Sequence, residues 1–160
     1  MLFRSAAAPA APAADTLARA RTLLLAGEAD QALDAVRSLP DAEREAIPAL
    51  LLQGTILVRL QRYDEAIGLL SPAVQSNTRH AELQAAYGAA LMGARRNSEA
   101  RAALSRAISL DRHASPETYA NLAMLCAFTD PVDLKLARRY YALARDAGLP
   151  PAPALERHLK

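Results

Sequence analysis

Side chains that could perform catalysis are few in this sequence, and they are not grouped. The three histidines are His80, His113 and His158, and the single cysteine is Cys126. None of them pairs with another at the spacing of a metal site or of a nucleophile and its base, and neither a glycine-rich phosphate loop nor a G-x-S-x-G motif occurs. We therefore expect no catalytic residue, no cofactor and no metal, and we interpret Cys126 as a packing residue of an apolar helix.

The composition favours a helical protein with a core of small and aliphatic side chains. Of the 160 residues, 52% are hydrophobic but only 4% are aromatic, and tryptophan is missing. Such side chains suit close helix packing. The formal net charge is +2, with basic residues interspersed among acidic ones, which argues against a nucleic-acid-binding face. No apolar run comes near the length of about 18 residues that a membrane-spanning helix needs.

The N-terminal segment, residues 1–14, is rich in alanine and proline and is predicted to be a flexible linker. It contains no leucine-rich export signal. A single cysteine precludes an intrachain disulfide, which agrees with a reducing compartment. We therefore expect a cytoplasmic protein, although a periplasmic protein whose leader had been removed would show the same features.

A regular period of about 34 residues organises most of the chain. Three short segments, which begin at Asp30, Asp64 and Ser98, align at this repeat interval, and each has an alanine two residues further on. A shared period in independent columns indicates a repeat protein, in which each repeat packs against its neighbours. The same interval separates four leucines upstream of these segments: Leu23, Leu57, Leu91 and Leu125.

Each period predicts two amphipathic helices joined by a polar turn, because its apolar residues recur at helical spacing. Asp30, Asp64 and Ser98 are suitable N-caps for the second helices. In the fourth repeat the interval from Ala100 to Ala137 is three residues longer, and we expect the extra residues 131–133 to lengthen the last second helix. The predicted first helices cover 16–26, 47–60, 80–94 and 116–128, and the predicted second helices cover 30–39, 64–76, 98–110 and 131–147.

This helix–turn–helix pattern resembles the tetratricopeptide repeat family. Small residues occupy the places that the family favours, such as Gly54 and Gly88 in first helices and Ala66 and Ala100 in second helices. The tryptophan common early in that motif and the proline that usually closes it are missing. The resemblance implies an all-α superhelix, a solenoid of about four repeats. The expected repeat domain covers 15–149, with repeats near 13–46, 47–80, 81–114 and 115–151, and residues 152–160 form a short C-terminal capping helix.

In that family, the first helices line a concave groove that binds a peptide or a helix. The resemblance therefore implies a non-catalytic scaffold or adaptor with a protein or peptide partner, apolar or amphipathic because most of the groove residues are apolar. Neither nucleic-acid binding nor membrane insertion is expected. The alternative is a regulatory or targeting module cut from a larger enzyme or envelope-assembly protein. The groove residues carried over by repeat position are Leu17, Arg21, Leu24, Leu51, Thr55, Val58, Arg59, Ala85, Ala89, Met92, Tyr119 and Ala123.

The N-terminal end of the stack has no evident capping element. This end is rich in leucine, and its leucines can be interpreted in two ways: Leu17 and the consecutive Leu23, Leu24 and Leu25. They either pack inside the first repeat or form an exposed end through which copies of the chain self-associate.

Overall fold

The computed structural model describes residues 13–160, so most of the predicted linker lies outside the described residues. The linker was predicted to end at Ala14, whereas the first helix already begins at Ala13. The described residues form ten helices and no strand. The helices are α1 (Ala13–Leu25), α2 (Ala29–Arg37), α3 (Asp41–Arg44), α4 (Ile47–Arg59), α5 (Tyr63–Ser76), α6 (Ala81–Gly93), α7 (Asn97–Leu110), α8 (Pro116–Phe128), α9 (Leu134–Asp146) and α10 (Pro153–His158).

Eight of these helices form four antiparallel pairs, α1 with α2, α4 with α5, α6 with α7, and α8 with α9. The first helices α4, α6 and α8 also pack against both helices of the preceding pair. The first helices α1, α4, α6 and α8 therefore form one layer and the second helices the other. The predicted all-α superhelix of about four helix pairs is confirmed.

Two glycines allow the helices of a pair to cross closely. A Cβ atom added at Gly54 would lie 2.8 Å from Cδ1 of Leu70, and one added at Gly88 would lie 2.7 Å from Cγ of Leu104. Both leucines are completely buried. The leucine of each second helix therefore fills the space that the glycine of its first helix leaves open.

The turns between paired helices share one backbone geometry. Gly27, Gln61 and Arg95 follow α1, α4 and α6 and have φ angles of 83°, 59° and 61°. The amide of the next residue in each turn donates to the carbonyl five residues earlier, at 2.9 Å, 2.8 Å and 2.9 Å. These backbone bonds satisfy carbonyls that the helix end would otherwise leave free.

The predicted N-caps of the second helices are wrong. Asp30, Asp64 and Ser98 lie inside the first turns, because the helices begin one residue earlier than predicted. The N-cap positions belong to Glu28, Arg62 and Arg96, and none of these side chains makes a capping hydrogen bond. The two arginines instead form bidentate pairs with the glutamate three residues on, at 2.6 Å and 2.6 Å in α5 and at 2.8 Å and 2.6 Å in α7. These hydrogen bonds lower the pKa of Glu65 and Glu99.

The fourth repeat differs from the others in register. First helices α4 and α6 begin at Ile47 and Ala81, one repeat interval apart, but α8 begins one residue later than this interval predicts, and α9 begins three residues later. One extra residue thus lies in the turn before α8 and two lie between α8 and α9. The expected lengthening of α9 is wrong, because α9 has 13 residues and α7 has 14. Asp133 is the N-cap of α9, and its Oδ1 accepts from the amide of Leu136 at 2.8 Å.

Arg101 of α7 fixes the loop that contains the extra residues between α8 and α9. Its Nη2 donates to the carbonyl oxygen of Leu125 at 2.9 Å and to the carbonyl and hydroxyl oxygens of Thr129 at 3.2 Å and 2.9 Å. Its Nη1 donates to the carbonyl oxygen of Pro131 at 3.1 Å. One guanidinium therefore satisfies several acceptors of a loop that has no regular structure.

The C-terminal helix α10 covers the last pair, and Leu155 of α10 and the following Leu159 are buried against the core. The Tyr141 hydroxyl donates to Oε1 of Glu156 at 2.7 Å and accepts from the amide of Ala152 at 2.9 Å. Burial, together with the hydrogen bond to Glu156, raises the pKa of Tyr141. These contacts close the C-terminal end of the superhelix.

The leucines of α1 divide into two groups. Leu17, Leu23 and Leu24 are half-buried and pack against the core, whereas Leu25 is 89% exposed. The outward positions Asp15 and Arg19 are polar and exposed. Core packing therefore accounts for three of the four leucines at the N-terminal end.

Gly68 provides a test of local helix stability that is independent of packing. It is exposed in the interior of α5, and a Cβ atom there would meet no atom within 4 Å. We expect Gly68→Ala to raise the free energy of unfolding by about 0.5–1 kcal/mol, because alanine loses less backbone entropy in a helix. Urea denaturation followed by circular dichroism measures this. Ala102→Gly, at the equivalent place of α7, is the reverse control, and a Gly68→Ala protein no more stable than the original contradicts the prediction.

Candidate partner-binding groove

The faces of the first helices α1, α4, α6 and α8 that carry two adjoining cavities form one surface, which we call the groove. The larger of the two cavities, of about 630 Å³, lies across α4, α6 and α8. A second cavity, of about 520 Å³, extends it towards Arg21 of α1. The floor of the larger cavity consists mainly of small side chains, Ala85, Ala86 and Ala89 of α6.

Ten of the predicted groove residues lie on α1, α4 and α6, and they form two groups in the structure. One group packs at the base of the groove, half-buried against the core: Leu17, Leu24, Val58 and Met92. The other group lines the two cavities directly: Arg21, Leu51, Thr55, Arg59, Ala85 and Ala89.

The prediction for the fourth repeat requires a correction. Tyr119 and Ala123 are buried, at 5% and 0% exposure, and the Tyr119 hydroxyl donates to the carbonyl oxygen of Arg112 at 2.6 Å. The extra residue before α8 shifts every position of this helix by one, so Ala123 occupies the place that Gly88 has in α6. By the same shift, Ala120 and Met124 take the groove positions that were assigned to Tyr119 and Ala123.

The two edges of the groove carry opposite charges. Glu82 and Glu117 lie in the first turns of α6 and α8, at what we call the N-terminal edge. Arg59 is the last residue of α4 and lies at the opposite, C-terminal edge. All three side chains border the larger cavity and are exposed, and within residues 13–160 none of them forms an ion pair. Their charges are therefore available to a partner.

Exposed apolar side chains are concentrated on the groove. Five large apolar residues are exposed in the described part of the chain, and three of them occupy groove positions: Leu25 at 89%, Met124 at 42% and Phe128 at 52%. Leu25 and Phe128 share the position of Arg59 in their own repeats. The Phe128 ring also stacks on His158 of α10, with ring centroids 4.3 Å apart.

Sequence reasoning missed Glu117, Asn121, Met124 and Phe128 as groove residues. Glu117 and Asn121 line the larger cavity, and they correspond to Glu82 and Ala86 when the repeat interval is lengthened by one residue for the fourth repeat. The signal for this register is Ser115-Pro116, an N-cap followed by a helix-starting proline. The predicted helix over 116–128 is correct, but the groove positions were assigned at the regular repeat interval, which ignores its later start.

The reactive side chains lie in structural surroundings. Cys126 is fully buried, and this burial raises the pKa of its thiol. His80 is the N-cap of α6, where its Nδ1 accepts from the amide of Leu83 at 3.4 Å. Over residues 13–160, no three His, Cys, Asp or Glu side chains are grouped closely enough to hold a metal ion. The helices of this same region are too short or too polar to span a bilayer.

Comparison with known proteins connects this geometry to a family. Residues 57–125 match the tetratricopeptide repeat family. A thermophilic TPR protein of Thermus thermophilus is similar in structure, with a TM-score of 0.71 at 23% identity, over 90% of this chain and 77% of that chain. No curated protein sequence matches the chain.

Two further solved structures share the fold at low identity. MamA from Desulfovibrio magneticus RS-1 aligns with a TM-score of 0.63 at 18% identity, over 84% of this chain and 75% of that chain. An O-GlcNAc transferase of Thermobaculum terrenum aligns with a TM-score of 0.72 at 18% identity, over 85% of this chain but only 27% of that chain. The central residues 57–125 therefore match the tetratricopeptide repeat family, and the same helix-pair fold continues on either side of them.

Proposed function

We propose that this protein is a non-catalytic scaffold or adaptor that holds one segment of a partner protein in the groove. Tetratricopeptide repeats are in general protein–protein interaction scaffolds. The observation that carries the proposal is the coincidence, on one surface, of a cavity of about 630 Å³, exposed apolar side chains, and charged side chains that form no ion pair within residues 13–160. Such a surface, apolar and bordered by charge, is typical of a protein interaction site.

The groove suits an amphipathic partner better than a polar one. Its alanine floor leaves space for large apolar side chains, and Met124 and Phe128 offer apolar contacts beside it. Burial of such side chains would supply most of the affinity. Arg59, Glu82 and Glu117 would then select among amphipathic partners by charge.

Site-specific photo-crosslinking in the source cells tests this proposal. A photoreactive amino acid replaces Ala89, on the groove floor, or Ala102, which is exposed on the second helix α7. We expect a defined protein adduct from position 89 that position 102 does not give, because only the first side chain faces a bound segment. The same adducts from both positions, or none from position 89, would contradict groove binding.

The alternative, a regulatory or targeting module of a larger protein, is favoured by one observation. The Thermobaculum terrenum O-GlcNAc transferase carries the same fold in about a quarter of its chain. An immunoblot of the source cells, after separation into cytoplasmic and envelope fractions, distinguishes the two functions. A cytoplasmic band at 17.1 kDa supports the adaptor, and a much larger band supports the module.

Self-association through the N-terminal end has a narrower basis than groove binding. Of the leucines of α1, Leu25 alone is largely exposed. Sedimentation velocity at rising protein concentration measures it, and Leu25→Glu is the variant that would abolish a dimer formed through this end.

A further inference from the structure

We infer that the partner segment is an amphipathic α-helix with a basic flank and an acidic flank, lying across α4, α6 and α8. This inference rests on the proposed function, because it concerns the same groove. It is carried by three properties of that surface, which are the distance between its edges, the size of its floor residues and the signs of its edge charges.

The distance between the two edges matches the width of a helix. The first helices are parallel to one another, since an antiparallel second helix connects each to the next. The equivalent of Arg59 in α6 is Gly93, eleven positions after Glu82. At the rise of an α-helix the edges are therefore about 16 Å apart. A helix with its side chains is about 10–12 Å across, so long charged side chains on its two flanks would reach both edges.

The floor between the edges can accept the apolar face of such a helix. The centre of the groove is open because its side chains are small, at Ala85, Ala86 and Ala89. Leu51 of α4 lines the same cavity, and the exposed Met124 of α8 takes the repeat position that Ala89 has in α6. A helix that lies across the three first helices would place leucine-sized side chains over the alanines and contact Leu51 and Met124 at its ends.

The edge charges fix the orientation of the ligand. Glu82 and Glu117 border the cavity at the N-terminal edge, and Asp111 joins them there with His113. Arg59 is the charged residue of the cavity at the opposite edge. Basic side chains of the ligand would therefore face the glutamates and an acidic side chain would face Arg59. A helix with the opposite arrangement would meet like charges on both sides.

The charges at these edges also stabilise the helices that carry them. Acids near helix N-termini and an arginine at a C-terminus interact favourably with the helix dipoles. That contribution concerns folding, so it appears in the unfolding midpoint of a charge variant. Recognition of a ligand is measured separately, by the charges that a binding peptide must carry.

Selection from a displayed peptide library tests the inference. The peptides have about 18 residues, which is five helical turns, with a fixed leucine face and flank positions that vary among Lys, Glu and Gln. They are selected on the full chain, on Glu82→Lys with Glu117→Lys, on Arg59→Glu, and on Ala89→Trp, which fills the floor. Circular dichroism establishes that each variant is folded.

The full chain is expected to select Lys on one flank and Glu on the other. Glu82→Lys with Glu117→Lys should reverse the preference on the basic flank alone, and Arg59→Glu should reverse it on the acidic flank alone. The peptide selected by the full chain should bind the double variant about tenfold more weakly, as expected when two rim attractions become repulsions.

Two outcomes would overturn the inference without touching the proposed function. One is the selection of the same flank charges by the full chain and by both charge variants. The other is no enrichment of any helical peptide, while crosslinking at position 89 still identifies a partner. Peptides that bind Ala89→Trp as well as the full chain would place binding outside the groove and so would contradict the proposed function too.

Discussion

Leu104→Ala is expected to lower the free energy of unfolding by about 2–5 kcal/mol, the usual cost of truncating a buried leucine. Leu104 is fully buried, and its Cγ would lie 2.7 Å from a Cβ atom at Gly88. Removing Cγ and its two methyl groups leaves a cavity between α6 and α7 that the neighbouring helices fill only in part. Urea denaturation followed by circular dichroism gives the difference.

The partner of this substitution is Gly88→Ala, which should cost about 1–3 kcal/mol by itself because the new methyl group overlaps Leu104. In the double variant the methyl group occupies space that the leucine has left. We therefore expect the double variant to lose clearly less than the two single losses combined. Leu104→Ala with Gly68→Ala is the matched control, whose effects should add. An additive result for positions 88 and 104 would contradict the packing described between them.

Arg101→Met is expected to destabilise the protein by about 2–3 kcal/mol and to open the loop between α8 and α9, because part-buried acceptors that lose a charged donor cost more than an ordinary hydrogen bond. The guanidinium donates to oxygens of Leu125, Thr129 and Pro131. Methionine keeps the aliphatic contacts while removing every donor. Urea denaturation measures the loss of stability.

Hydrogen exchange locates the effect of Arg101→Met. The amide of Asp133 donates to the carbonyl oxygen of Cys126 at 2.8 Å and so reports on closure of this loop. Its exchange should accelerate in Arg101→Met, while amides in the middle of α4 change only by the global loss of stability. In Arg101→Lys, the exchange rate of the Asp133 amide should lie between those of the original protein and of Arg101→Met, because one ammonium group cannot reach all the acceptors. Unchanged exchange at Asp133 would show that the loop closes without the arginine.

The parts of the fold that depend on side-chain size and periodicity could be predicted from the sequence. The leucine columns and the glycines at positions 54 and 88 identify which helices pair and where they cross. Features made by the backbone could not be predicted. Gln61 and Arg95 adopt positive φ angles in turns where glycine is the usual residue, so their types give no signal. The short helix α3 was also missed, because its four residues have no apolar period.

The register of the fourth repeat could not be read from the leucine column, because one match was coincidental. Leu125 lies one regular repeat interval after Leu91, yet its structural equivalent in α6 is Ala90, and Cys126 takes the place of Leu91. All four residues are buried, so either register puts an apolar side chain in the core. The wrong register becomes apparent only on the groove side of α8, where each assigned position is off by one residue. For this reason Tyr119 and Ala123 were assigned to a surface that they do not reach.

The additional residue before α8 also restricts how such an array could grow by gene duplication. Recombination in units of one regular repeat preserves the angular position of every helix from α4 to α7, since their starts keep that interval. The same unit exchanged across the turn before α8 would rotate that helix by about 100°, one residue of an α-helix. Tyr119 would then take the place of Ala85 in the groove, and Glu117 would take the place of the buried Leu83. Unequal crossing-over could therefore lengthen this superhelix within its central repeats, whereas its last repeat is inherited together with the turn that precedes it.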